Sequence, residues 1–363
     1  MPDMFPSRTM TIYLARLFLT RSFAVLILLV LVLQALDLLS ETDKILGHPG
    51  NGQAEVLTYV SLRAPGIIQQ FLPFSVLLGT LIAFMQLNQN SEVVALKAAG
   101  LSAHQVLAPF LVASMLVAGI AFVFNDRVVT RASSTLDRWE AVEFGALPTG
   151  REGQTNVWVR DGDDLIHADT ANGRGSATKL TGVAIYDRTG GVLKAITTAD
   201  TARLVGGTWQ LDKASSFEVA SGERRVLGTI RALDKIRPDQ FTLASVDPNG
   251  LPFGKLQEAI DDLELAGRPV ESLKAALWHK ISGPLSTVLM PLLAALAAFG
   301  LARSGKLFVR AVIGMALGFT YFVADNFGLA MGNLGAYPPL LAAWGPFFLF
   351  LLIGEAVLVR TEE

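Results

Sequence analysis

The residues able to do chemistry in this chain are few and scattered. Four histidines, His48, His104, His167 and His279, stand far apart, with no pair at the helical spacing of a metal site. Cysteine is absent, which excludes disulfides, thiolate metal sites and a cysteine nucleophile. No Gly-x-Ser-x-Gly elbow occurs. What remains are acid–base groups in apolar surroundings: Asp325, Glu355 and His279. Each would need a partner to shift its proton affinity, and the sequence places them singly. The run Gly300-Leu-Ala-Arg-Ser-Gly305-Lys306-Leu307 nearly matches the loop that cradles phosphates in nucleotide hydrolases. Its last position needs a Ser or Thr hydroxyl for magnesium and carries Leu307. The run closes a long apolar stretch rather than a strand, so Arg303 and Lys306 read as charges anchoring a membrane helix. The chain is not expected to hydrolyse ATP, and no metal or cofactor is expected on it.

A second segment suggests contact rather than catalysis. Ser91-Glu-Val-Val-Ala-Leu-Lys-Ala-Ala-Gly100 reads as a short helix, with Ser91 as its cap, Glu92 at its positive end and Gly100 as its stop. Ser102 then caps the following helix. Two readings stand: a plain helical-hairpin connection, or a docking element. The second rests on Val93, Val94 and Leu96, apolar residues at a surface rimmed by Glu92 and Lys97, a pattern that suits a partner's groove. Among charges in apolar stretches, Asp37 lies at the outer end of the first and Asp325 within the fifth, where an ionisable group is costly. For Asp325 a hydrogen bond to a neighbouring helix and a substrate role are equally open.

These residues must be positioned by membrane helices. Hydrophobic residues make up 51% of the chain and charged ones 17%, against roughly 25% charged in a soluble domain. The charge is segregated: 42 of the Asp, Glu, Lys and Arg residues lie between Asp126 and Lys280, with long apolar stretches on either side. A span needs about 20 apolar residues. Between Arg63 and Glu92 lie 28 uncharged residues, between Lys97 and Asp126 another 28, and between Lys280 and Arg303 there are 22. The first span centres on Ser22–Leu36, lengthened if Arg16 and Arg21 snorkel. No cleavage site follows Leu33, so this is read as a retained helix rather than a signal peptide. The last two spans are expected near 308–332 and 338–358, broken at Tyr337-Pro338-Pro339. The short segments on the side of the termini carry Arg8, Arg16, Arg21, Lys97, Arg303, Lys306, Arg310 and Arg360, and those on the other side carry Lys44 and Arg63. That asymmetry puts both termini in the cytoplasm and the charged middle segment outside.

The outside segment reads as β-rich from Asn156 to Phe241. Asn156–Arg160, the turn Asp161-Gly162-Asp163-Asp164 and Leu165–Asp169 form one expected hairpin. Val183–Tyr186, Arg188-Thr189-Gly190-Gly191 and Val192–Thr197 form another, and Gly206-Gly207 and Ser221-Gly222 mark further turns. Strands this dense suggest a sandwich or jelly roll with Val157, Val159, Ile185 and Val226 facing inward. From Pro252 the period changes, and Phe253, Leu256, Ile260 and Leu263 fall on one helical face ending at Gly267. The expected plan is residues 1–125 with three spans and the short helix near 91–100, residues 126–275 with the β domain and an amphipathic linker helix, and residues 276–363 with three more spans.

The run LPFSVLLGTLIAFMQLNQNSEVVALKAAGLS resembles the signature of the lipopolysaccharide-export permeases of the LptF/LptG family. So do Leu277-Trp278-His279-Lys280-Ile281 with Pro284-Leu285 at the start of span four, and the six-span plan with a β domain after span three. Trp158-Val-Arg-Asp-Gly162 and Asp325-Asn-Phe-Gly328 are similar to the LptG branch more than to the LptF branch. The resemblance implies a non-catalytic subunit of an ABC exporter in the bacterial inner membrane, with its β jelly roll in the periplasm. It implies that the chain pairs with LptF, is driven by two copies of the ATPase LptB, which binds the ATP, and passes lipopolysaccharide to LptC. No nucleic acid is among the implied partners. Ser91–Gly100 would be the coupling helix in the ATPase groove, with Glu92 as the charged contact, and the β domain would receive acyl chains. The family tends to place a basic residue in span one to meet lipid phosphate, where this sequence has Gln34. The phosphate would then fall to Arg63, Lys44 or the partner, and the candidate lipid contacts are Gln34, Asp37, Lys44, Arg63 and Asp325, with Val157, Val159 and Ile185 in the β domain. The rival readings are an intramembrane lipid-modifying enzyme and a membrane scaffold or receptor.

Overall fold

The computed structural model describes residues 6–145, 153–173, 177–189, 191–233, 236–238, 241, 247–265, 268–300 and 307–362. The chain divides into two compact units, one of Met1–Leu147 with Pro248–Glu363 and one of Pro148–Asp247. Residues 126–147 and 248–275 therefore lie in the first unit rather than with the sheet.

The first unit is helical, and among the described residues six of its helices are long and apolar enough to cross a membrane. The uncharged stretches of the sequence become α1 (Arg8–Gly47), α2 (Gln53–Gln89), α4 (Ala103–Phe124), α7 (Glu271–Ala295), α8 (Leu307–Asn333) and α9 (Pro339–Glu362), with α3 (Glu92–Ala98) between α2 and α4. At ~1.5 Å per residue the 40 residues of α1 reach about 60 Å, twice a ~30 Å hydrocarbon core. The expected Ser22–Leu36 span is thus only its middle. A π-turn at Asn125–Val129 carries α4 into α5 (Thr130–Ala141) without a break. The linker helix α6 (Phe253–Leu265) buries Leu256, Ile260 and Leu263, as its spacing predicted. Asp126 Oδ1 accepts the Phe253 N–H at 2.6 Å, fixing the start of α6.

Helices in lipid pack by close fit rather than by hydrophobic gain, so small residues mark the contacts. At Gly79 of α2 an added Cβ would lie 2.5 Å from the Ser22 backbone of α1. Just beyond this contact Phe18, Phe84 and Phe110 join α1, α2 and α4, with ring centroids 4.9 Å (Phe84–Phe110) and 5.5 Å (Phe18–Phe110) apart. Only 17% of the most apolar stretch of α1 is buried against 67% for α7, so α1 is a peripheral helix and α7 a central one.

The second unit is a six-stranded antiparallel sheet in the order β1-β2-β3-β4-β5-β6. Its strands are Gly153–Asp161, Asp164–Asn172, Lys179–Thr189, Val192–Val205, Thr208–Glu218 and Arg224–Ala232. The expected turns close hairpins: Gly206 and Gly207 take φ 63° and 87°, the left-handed pair that a two-residue turn between β4 and β5 requires. Gly190 of the β3–β4 turn lies outside the described residues. One face carries the core, in which Val157, Val159, Ile166, Leu180, Trp209 and Leu211 are buried and Ile185 packs partly against them. Trp209 Nε1 donates to the Ile236 carbonyl at 2.8 Å, which satisfies its buried polar atom. The expected sandwich or jelly roll is corrected here: among the described residues the strands form one up-and-down sheet with no crossover. Turn signals specify hairpins, not how hairpins fold over one another. Val226 is also corrected, since it is 84% exposed on the terminal strand β6 rather than inward.

Candidate functional site

The short helix α3 is where the sequence places it, but it is held differently. Ser91 sits at φ 60° with no side-chain cap bond, so it reverses the chain out of α2 instead of capping α3. With Asn90 already closing α2, one residue is left between the helices, and a left-handed one makes the turn. Glu92 accepts hydrogen bonds from the Tyr13 hydroxyl of α1, at 3.0 and 3.2 Å, and from Asn90 Nδ2 at 3.0 Å. Gly100, at φ 82°, ends the helix as expected: its N–H reaches the Lys97 carbonyl at 3.0 Å and the Leu101 N–H reaches the Leu96 carbonyl at 3.1 Å, a Schellman closure. Ser102 caps α4 through the Gln105 N–H. Val93 and Leu96 are three residues apart and share a face that is buried in the bundle core. The expectation that both are surface residues is therefore corrected, and of the three apolar side chains only Val94 is exposed, at 67%.

At the other end of α1 and α2 lies a cavity of about 840 Å³. Asp37, Glu41 and Lys44 line it from α1, Tyr59 and Arg63 from α2, and Glu140 from α5. Asp37 accepts the Tyr59 hydroxyl at 2.7 Å and pairs with Arg63 at 3.2 Å. Lys44 pairs with Glu41 at 2.8 Å. After α5 the chain turns through Glu143 and Phe144, both with left-handed φ, which wedges Phe144 between Tyr59 and Trp139 at 5.9 and 5.3 Å. Asn51 Nδ2 donates to the Phe144 carbonyl and locks this wall. The structure thus brings together Asp37, Lys44 and Arg63, three of the predicted lipid contacts. Sequence reasoning missed Glu41, Tyr59 and Glu140. A signal existed: Asp37, Glu41 and Lys44 fall on one helical face, and Tyr59 and Arg63 on another. Gln34, one turn before Asp37, is 7% exposed, and among the described residues neither of its amide atoms has a hydrogen-bond partner.

The acid–base candidates are not single, as the sequence suggested, but come in two pairs. His279 of α7 meets Asp325 of α8 at 3.1 Å, and His104 of α4 meets Glu355 of α9 at 3.4 Å. These contacts join helices far apart in sequence and carry no local signature. Asp325 is therefore tied to a neighbouring helix. The phosphate-loop look-alike lies at 300–307, of which 301–306 are outside the described residues. It follows a π-turn at Leu296–Gly300 rather than a strand.

A family model for the lipopolysaccharide export system permease LptF/LptG matches residues 12–360. The chain belongs to the LptF/LptG family. It is 26% identical over 324 residues to the lipopolysaccharide export system permease protein LptG of Escherichia coli strain K12, covering 86% of this chain and 88% of that protein. It is 24% identical over 323 residues to the LptG protein of Haemophilus influenzae strain Rd, covering 85% and 87%. The resemblance read from the SEVVALKAAG run and the six-span plan holds over most of the chain, and the likeness to LptG with it. In this LptF/LptG permease α3 and the ion-paired cavity stand at opposite ends of the same two helices.

Proposed function

We propose that the chain is the permease subunit of an ATP-driven exporter that extracts lipopolysaccharide from the inner membrane. The observation that carries this is the two-ended build of α1 and α2. One end holds a short helix, closed by Gly100, at a surface, and the other a cavity lined by Arg63 and Lys44 together with Asp37, Glu41, Glu140 and Glu143. In this reading the α3 end faces the cytoplasm, consistent with the excess of Lys and Arg there, and α3 docks a separate ATPase of the LptB kind. That ATPase binds the nucleotide. A second permease of the LptF kind completes the lipid path, and the cavity end meets the polar part of the lipid. The β unit lies in the periplasm and passes acyl chains to an LptC-like bridge. In this structure its apolar face is covered, so taking up a chain requires that face to open.

The test is binding of purified LptB to the permease pair in detergent. Retention by the wild-type pair and loss with Glu92→Lys supports α3 as the dock. Equal retention by both overturns that assignment.

A further inference from the structure

We infer that Tyr13 is the positioning residue that couples α3 to the cavity, by tying α3 to the base of α1. The inference rests on the reading of α3 as the ATPase dock. Among the described contacts of Glu92, Asn90 is local, two residues away, whereas Tyr13 lies on another helix 79 residues earlier. The Tyr13–Glu92 hydrogen bond thus adds a directional tie between α3 and α1 beside the apolar core that Val93 and Leu96 share with Leu14 and Phe18.

What lies beyond Tyr13 makes α1 a good transmitter. Sharp bends in helices arise at proline or glycine pairs, π-turns or inserted groups. From Arg8 to Leu46 α1 contains no proline or glycine and is a continuous α-helix. By contrast α2, which runs alongside, carries Pro65 and Pro73. From Tyr13 to Asp37 is roughly 36 Å of unbroken helix at ~1.5 Å per residue. Between those points Ser22 lies against Gly79 in backbone contact, which supplies a pivot. Past the pivot Ile27, Leu31, Leu36 and Leu39 are exposed while Leu26, Gln34 and Ile45 are buried, so the far arm packs along one face only. At its end Asp37 holds Tyr59 and Arg63 of the cavity. A shift of α3 thus swings the Asp37 end of α1 and reshapes the cavity.

The experiment uses the full complex of both permeases, ATPase and lipid in nanodiscs. The chain has no cysteine, so spin labels placed at Leu39→Cys and Leu57→Cys report the separation of α1 and α2 near the cavity; both residues are more than two-thirds exposed. In the otherwise wild-type complex, nucleotide is expected to shift the label distance. Tyr13→Phe removes one hydroxyl and keeps the ring. It is expected to leave ATP hydrolysis within about twofold while abolishing the distance shift and lowering lipid released per ATP about tenfold, the scale of a lost hydrogen bond to a charged group. Asn90→Ala removes the local donor only and is expected to keep both the shift and the release. Tyr13→Phe with an intact shift and normal release overturns the inference, as does Asn90→Ala matching the Tyr13→Phe defect. If the wild-type complex hydrolyses no ATP and shows no shift, the reading of α3 as an ATPase dock fails instead.

Discussion

At the α3 end, α1 and α2 meet through an apolar core in which Leu14, Phe18, Leu87, Val93 and Leu96 are all buried. At the cavity end the same two helices meet through Asp37, Tyr59 and Arg63, where Arg63 is 45% exposed, beside a smaller apolar cluster of Ile45, Tyr59, Leu136, Trp139 and Phe144. Close packing of buried side chains fixes a helix contact, whereas a solvated ion pair is worth about 0–1 kcal/mol. The two ends therefore differ in stiffness. One is held by apolar packing throughout, whereas at the other the Asp37–Arg63 pair changes partners at little cost within a packed wall, which is what a site must do if it is to take up and release a lipid. The contact at Gly79 separates the two regimes.

Breaking that contact acts on the fold itself, and so on both ends at once. Gly79→Leu leaves no room for the Ser22 backbone and is expected to destabilise the unit by about 1–3 kcal/mol or prevent its assembly. Gly66→Leu on the same helix meets nothing within 4 Å and serves as its control. Thermal unfolding in detergent distinguishes them, and equal melting of both would remove the pivot.

Next comes Glu92→Lys, which leaves the fold intact because the site is at the surface. It replaces an attraction with a repulsion across the proposed dock, at a cost on the order of 2–5 kcal/mol in ATPase binding. Normal export by this variant would mean that α3 is an ordinary connection.

Arg63→Ala acts on the soft end. It is expected to lower lipid retained by the purified permease pair severalfold, on the order of 1 kcal/mol, with ATPase binding unchanged. Loss of ATPase binding alongside lipid would show that the two ends are not built separately. Smallest of all is Val226→Ser. Because Val226 is exposed on β6, the variant is expected to stay within about 0.5 kcal/mol of the parent stability. A larger loss would mean that a second layer covers that strand.

What the sequence made legible follows from locality. The uncharged stretch between Arg63 and Glu92 must be a membrane span, since no charge interrupts it over 28 residues. Gly100 must end α3, because the left-handed turn of that closure favours a residue without a side chain. The periodicity of Leu256, Ile260 and Leu263 placed α6 and its buried face. The misreadings share a cause in distance. His279 and Asp325 are 46 residues apart and His104 and Glu355 are 251 apart, so nothing near either member announces its partner. The burial of Val93 and Leu96 depends on how α3 lies against the bundle, and the single layer of the β unit on how its hairpins stack. Ser91 has a residue type that suits a cap, yet only one residue separates α2's cap from α3, and that position has to turn the chain.

Under the proposed function, this chain moves lipid only when a separate ATPase drives it. The most direct measurement is release of lipopolysaccharide from proteoliposomes to a soluble acceptor, with the permease alone, with LptB and LptF added, and with each omitted. The chain alone is expected to show no ATP hydrolysis and no release, with ATP-dependent release only when both partners are present. Nucleotide binding or lipid release by the isolated chain would contradict the proposed function.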